Sequence, residues 1–278
     1  IIFHISSNVA IITPFGFTSY KNVTNKVKVF SKLDKIKITT AFMNRLEIIA
    51  LILFSFLPPI IYSIWIRNTE KYHRERWLSI FLCFLWGATI AVIAALIIEL
   101  TLGYFVITAD NSGLYAIIGA ILIAPLAEEF TKPLALRLKK VKRELDEPED
   151  GLIYGAVAGL GFSATENLFY GYVFLSEGFL FFIILISIRS FGGCLLHASA
   201  TALTGYGYGK TVMKQTSFLK VIPYFLLAIL VHAIYNSILV FRIDIIGVGG
   251  SLLSALGFAA IAIYFVRKKI QSLDFKSG

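Results

Sequence analysis

The sequence predicts an all-α, polytopic transmembrane helical bundle of about seven spans. Three observations carry that reading. The mean hydropathy is +0.78. Charged residues make up only 15% of the chain, against about 25% in a soluble domain. Apolar runs longer than the roughly 20 residues a helix needs to cross the hydrocarbon recur in series. A soluble protein of this composition would lack the polar residues to cover its surface, so the outer surface faces lipid. The runs do not alternate, which argues against a β-barrel.

The elements follow in order. Residues 1–43 form an N-terminal segment, partly polar and either interfacial or incomplete, ahead of a transmembrane domain over 44–270. Residues 1–20 do not read as a signal peptide, because His4, Asn8, Pro14 and Gly16 interrupt them. Residues 26–29 alternate like a short strand, residues 21–37 are basic, and Asn22-Val23-Thr24 matches a glycosylation triplet that is common by chance. The first span covers about 45–66, and Pro58-Pro59 is expected to kink it or end its first half. The second, about 78–107, is long enough to tilt and carries Glu99 near its far end, either at the interface or as a partner for later polar groups. The third covers about 114–137 and the fourth 151–175. Ser176-Glu177-Gly178 reads as a tight turn into the fifth, about 179–207. The sixth covers about 221–241 and the last about 246–266.

The formal net charge is +9. Nucleic acid is excluded as a partner, because the basic residues cluster in short loops between apolar runs. The loops after spans one, three and five hold four, five and three Lys/Arg, and those after spans two and four hold none. That asymmetry puts the odd-numbered loops and the C-terminus in the cytoplasm and, with seven spans, the N-terminus outside. The basic stretch over 21–37 opposes that placement, and the later loops outweigh it. Cys83 and Cys194 lie in apolar runs and read as small buried hydrophobes.

Several apolar runs carry groups that are costly at membrane depth unless paired or wetted. Glu128 and Glu129 sit side by side in span three. Glu166 and Asn167 follow in span four, His197 in span five, and His232 with Asn236 in span six. Glu129, Glu166, His197 and His232 are expected to converge, with Glu129 as general base. Adjacent residues on a helix point about 100° apart, so one glutamate faces the reaction centre while the other braces a neighbour. Lys132, four residues after Glu128, can pair with it, and a plain buried ion pair holding the bundle is the alternative. Gly151, Gly155 and Gly159 give span four a smooth face for close helix approach, and Glu166 continues that face, as a site residue or as simple helix glue. A lone membrane histidine is most often a packing residue. Asn236, one turn beyond His232, can hold a ligand, donate to an oxyanion or orient His232. Arg189 lies on the side of His197 and either pairs with a carboxylate or snorkels outward.

Such a set suits peptide hydrolysis. A poorly solvated carboxylate can act as general base on water, with neutral His and Asn as donors to the oxyanion. Glu129, Glu166, His197 and His232 can equally hold zinc or another divalent metal. No His-Glu-x-x-His signature is present, so metal ligands would converge from separate helices. Both mechanisms fit the residues.

The text Ala127-Glu-Glu-Phe-Thr-Lys132 is followed by Asp146-Glu-Pro-Glu-Asp-Gly-Leu-Ile-Tyr-Gly155. Gly159-Leu-Gly-Phe-Ser-Ala-Thr-Glu-Asn167, the His197 segment and His232-Ala-Ile-Tyr-Asn236 come next. In that order they resemble the PrsW family of membrane proteases, over roughly residues 119–240. That family is similar to the CAAX prenyl proteases, which carry a double glutamate and two later helical histidines. The resemblance implies a CAAX-protease-like core over about 114–241, with Glu128 and Glu129 as the pair and His197, His232 and Asn236 as the later site residues. It implies a membrane-embedded endopeptidase in a prokaryotic plasma membrane, acting on membrane-anchored protein substrates similar to anti-sigma factors. PrsW-like proteins are classed as metallopeptidases, whereas CAAX proteases are often treated as glutamate-dependent. The related scaffold subunit of gamma-secretase suggests that the fold can also serve without catalysis. A scaffold or substrate-binding subunit is therefore the second reading. A transporter is the third, disfavoured by the lack of an inverted repeat. A cavity open to one side favours the enzyme, a closed one the scaffold, and a path to both sides the transporter.

Overall fold

Pro58 and Pro59 remove two main-chain donors, yet the first helix, α1 (Arg45–Arg67), runs through both. The helix does not end at the prolines, and one of the two freed carbonyls finds a side-chain partner. Pro58 leaves the Phe54 carbonyl without its helical donor, and the Ser190 hydroxyl from a later helix supplies one at 3.3 Å. Pro59 frees the Ser55 carbonyl in the same way, and Ser63 Oγ adds a bond to the Pro59 carbonyl at 2.9 Å.

The computed structural model describes residues 2–5, 8–13, 16–21, 45–107, 117–241 and 247–274. Three short strands precede the bundle: β1 (Ile2–Ile5), β2 (Asn8–Thr13) and β3 (Gly16–Lys21). They form an antiparallel sheet in the order β1-β2-β3, with Ile2 opposite Ile11 and Ile12 opposite Phe17. Residues 26–29 fall outside the described residues together with Asn22 and most of the basic stretch.

The membrane part is all helical. Helix α2 comprises Trp77–Trp86, a π turn at Gly87–Ala91 and Val92–Ile107. Helix α3 comprises a π turn at Gly119–Ile123, Ala124–Thr131 and a 3-10 turn at Lys132–Arg137. A short α4 (Lys139–Lys142) leads to α5 (Asp150–Leu175) and α6 (Phe179–Met213). Helix α7 joins a 3-10 turn at Phe218–Val221 to Ile222–Val240, and α8 is Gly247–Leu273. Among the described residues, five helices are long and apolar enough to cross a membrane, fewer than the seven expected. Helix α3 falls short because Glu128, Glu129 and Lys132 bring three charges into its apolar stretch. Helix α5 falls short because its glycines, Glu166 and Asn167 dilute its hydropathy. It is buried almost throughout and rich in glycine. Gly178, at φ +125°, makes the expected turn between α5 and α6.

Glycine sets the spacing of α5 to both neighbours. A Cβ on Gly155 would lie 2.6 Å from the Thr201 carbonyl oxygen of α6. On the other side, a Cβ on Gly161 would lie 2.0 Å from the Phe84 carbonyl oxygen of α2. The π turn of α2 is part of that contact, since Thr165 Oγ1 donates to the Ala88 carbonyl at 2.6 Å.

One end of the bundle gathers the basic loops. Asp274, just past α8, accepts the main-chain N–H groups of Lys71 and Tyr72 at 2.7 and 3.3 Å. Arg267 Nε donates to Thr69 Oγ1 at 2.9 Å, and Arg76 lies 3.7 Å from Glu144. The odd-numbered loops and the end of α8 thus share a face, as their charge indicates. Carboxylates are buried at this face too. Burial pushes the Glu70 carboxyl up to about 8 and that of Glu75 up to about 10, and the nearby Asp150 charge adds to both.

Gly155→Ala is expected to lower stability by about 1–3 kcal/mol, because the contact is with backbone and cannot yield by rotamer change. Gly257→Ala in α8, where a Cβ meets nothing within 4 Å, should leave it unchanged or slightly raised. Thermal unfolding of both variants in detergent checks the contrast.

Candidate active site

The α3 segment Ala124–Thr131 places Glu128 and Glu129 inside the bundle, and Lys132 follows where the helix tightens. From positions four and three residues on, the Lys132 ammonium reaches Glu128 Oε2 at 2.7 Å and Glu129 Oε1 at 2.9 Å. Its third contact is His197 Nδ1 of α6, at 2.8 Å. An ammonium has three protons and no acceptor, so all three are used. Lys132 and Glu129 are fully buried. Glu128 is the more open glutamate, with its side chain 8% exposed.

The lysine also sets the histidine's tautomer. With Nδ1 accepting from Lys132, the neutral ring carries its proton on Nε2 and donates it to Glu166 Oε2 at 2.8 Å. Arg189 pairs with the same Glu166 oxygen at 2.9 Å, donates through Nε to Asn167 Oδ1 at 3.0 Å, and lies over the Tyr170 ring at 3.9 Å. It does not snorkel. Asn167 in turn donates to Cys194 Sγ at 3.5 Å. On the other side, His232 Nδ1 donates to Glu129 Oε1 at 2.9 Å and the neutral ring keeps its lone pair on Nε2. The two histidine rings meet edge to face, 5.0 Å between centroids.

The structure brings together most of the sequence-predicted set, with changed roles. One donor atom each from Glu128, Glu129, His197 and His232 falls within 4.8 Å of the others. Glu166 stands outside that group, on the far nitrogen of His197. Asn236 stands further off: its amide donates to the Ala120 carbonyl at 2.8 Å, in the π turn that opens α3. It therefore ties α3 to α7. Glu99 turns inward, and its charge acts on Glu128, Glu166 and Lys132. Sequence reasoning missed Thr201, whose hydroxyl donates to Glu129 Oε2 at 2.9 Å, and Phe162, whose ring lies 4.4 Å from the ammonium. Helical spacing was the available signal, since Thr201 is one turn after His197 and Phe162 one turn before Glu166.

Both oxygens of Glu129 are occupied, Oε1 by Lys132 and His232 and Oε2 by Thr201. Glu128 is held through Oε2 alone among the described residues, so it keeps an oxygen to offer. Three carboxylates here face two fixed cations, which leaves an excess negative charge when the histidines are neutral.

A family model described as PrsW family intramembrane metalloprotease matches residues 75–267. The chain belongs to the PrsW family. "Protease PrsW" of Clostridioides difficile (strain 630) is 32% identical over 121 residues, which is 43% of this chain and 50% of that relative. This PrsW-family chain thus matches about half the length of that curated relative. No solved structure matches it.

The family description implies a metal, and the donors suit one. Two imidazoles and two carboxylates form a nitrogen and oxygen set of the kind zinc takes. The Lys132 ammonium already lies against three of the four as a cation, so a metal there would take over contacts that Lys132 now makes.

Lys132→Met is expected to destabilise the folded chain by about 3–5 kcal/mol, because it leaves paired carboxylates buried without their cation. Unfolding of the purified variant in detergent measures this. A loss below about 1 kcal/mol would mean that the pairing contributes little.

Proposed function

We propose that the chain is a membrane-embedded endopeptidase that hydrolyses peptide bonds in membrane-anchored protein substrates, similar to anti-sigma factors. The observation that carries this reading is the convergence of Glu128, Glu129, His197 and His232 from three helices inside an apolar bundle. Glu128 is the general base. Its free oxygen takes a proton from water, the hydroxide oxygen bonds to the scissile carbonyl carbon, and the C=O electrons move to its oxygen. The Lys132 charge opposes the negative charge that develops. As the C–N bond breaks, the proton on Glu128 passes to the departing amine. Glu129 braces Lys132, His232 and Thr201, and Glu166 with Arg189 and Asn167 holds His197 in register. Zinc or another divalent metal bound by Glu128, Glu129, His197 and His232 would polarise the carbonyl and acidify water.

In this reading α3 and α5 cross the membrane beside the five apolar helices, giving seven crossings over 44–270 and a CAAX-protease-like core over 114–241. The shared basic face is cytoplasmic, in a prokaryotic plasma membrane, and carries the C-terminal end of α8. A scaffold or substrate-binding role is the second reading, favoured by one observation. The donors are closed over, and the described cavity, about 230 Å³, lies elsewhere, lined by Lys210, Lys214, Lys220 and Tyr224. As an enzyme the bundle must open to admit a peptide.

Glu128→Gln should lower cleavage of a single-span substrate by about 10²–10⁴-fold while the unfolding temperature stays close to that of the parent. Cleavage by purified protein, with and without a chelator, is the assay. Near-normal turnover by folded Glu128→Gln protein would remove Glu128 from the role of base. Loss of activity with chelator, restored by zinc, would assign the metal, and full activity with chelator the glutamate-activated water.

A further inference from the structure

A second group of carboxylates stands apart from the intramembrane cluster. It lies on the face where the α1–α2 loop meets the segment before α5, roughly 25 Å along α5 from Glu166 at 1.5 Å per residue. Glu70 follows α1, and Glu147 and Glu149 precede α5. One oxygen from each lies within 4.8 Å of the other two. Glu70 and Glu149 are 0% and 1% exposed. Yet Glu70 Oε1 and Glu149 Oε2 meet no hydrogen-bond donor among the described residues. Unsatisfied oxygens of buried carboxylates are costly, and each such group calls for a partner.

The cations nearby direct their hydrogen bonds elsewhere, although the Arg67 charge acts on Glu70 and Glu75. Arg74 Nε donates to the Glu70 main-chain carbonyl at 2.9 Å and Arg67 Nε to that of Glu75 at 2.6 Å. Arg76 faces Glu144. His73 acts on Glu147 and Glu149, but it brings at most one charge. Against it stand the three carboxylates, with Asp146, Asp150 and Asp274 also acting on them.

We propose that Glu70, Glu147 and Glu149 form a binding site for a hard divalent cation, Ca²⁺ by the number of carboxylates, that clasps the α1–α2 loop to the start of α5. The donors are all oxygen, which selects a hard cation over zinc or copper. Ca²⁺ takes about six to eight oxygen ligands in flexible geometry, whereas Mg²⁺ is usually held by one or two carboxylates and keeps several waters, so three converging carboxylates favour Ca²⁺. Water completes the shell. This site stands independently of the hydrolytic reading.

Titration calorimetry of the full chain in detergent, stripped with a chelator and then given Ca²⁺ or Mg²⁺ alone, tests the proposal. The expected result is one Ca²⁺ bound per chain, more tightly than Mg²⁺, with a saturable rise in unfolding temperature. Glu147→Gln, at a partly exposed position that tolerates change, should weaken Ca²⁺ by about tenfold or more. The double variant Glu70→Gln/Glu149→Gln should abolish binding. If that variant does not fold, Glu147→Gln alone decides. No Ca²⁺ binding by the parent chain, tighter binding of Mg²⁺, or unchanged Ca²⁺ affinity in Glu147→Gln would each overturn the site.

Discussion

The Lys132 ammonium is the group on which the interior of this bundle depends. Buried charge is tolerable only when it is paired and hydrogen-bonded, and here each ammonium proton has its own acceptor. Removing it would leave Glu128, Glu129 and His197 facing one another without a cation. The same contact fixes which histidine nitrogen is protonated, and so relays order outward to Glu166, Arg189 and Asn167. The polar chain is continuous from Asn167 to Thr201. Buried networks of this kind are stable when every member is satisfied and fragile when one is lost.

The glycines make this network geometrically possible. His197 and Thr201 reach Lys132 and Glu129 only because α6 lies against α5 at backbone contact, through Gly151, Gly155 and Gly159. In a bilayer, where lipid is as apolar as leucine, close packing replaces hydrophobic burial as the force between helices. The helix that carries Glu166 is therefore also the one that neighbouring backbones approach most closely. The breaks in α2 and α3 serve the same end, since Thr165 and Asn236 each bond a carbonyl in a π turn.

Much of this was legible in the sequence. Hydropathy gave the membrane bundle, i,i+4 spacing gave the Glu128–Lys132 pair, and the glycine spacing gave the α5 seam. The cost of ionisable groups at membrane depth singled out Glu166, His197 and His232. Other features depend on contacts between distant residues. Nothing local tells that Ser190 will satisfy the carbonyl freed by Pro58, so the two prolines read as a kink or an end there. Asn236 shares a face with His232, but that face is wide enough for one residue to reach Glu129 and the other Ala120. Which of two adjacent glutamates is braced and which is open is decided by Thr201 and His232, neither near them in sequence. Helices α3 and α5 read as spans from their apolar runs, although the charges of α3 and the glycines of α5 make them less apolar than the other five.

A double-mutant cycle on unfolding free energy, pairing Lys132→Met with Glu129→Gln, tests the organising role of the ammonium most directly. If Lys132 is what makes the buried carboxylates tolerable, the double variant should be more stable than Lys132→Met alone, with a coupling of about 0.5–3 kcal/mol. Strictly additive losses would contradict the account, because they would mean that the lysine and the glutamate it touches act independently.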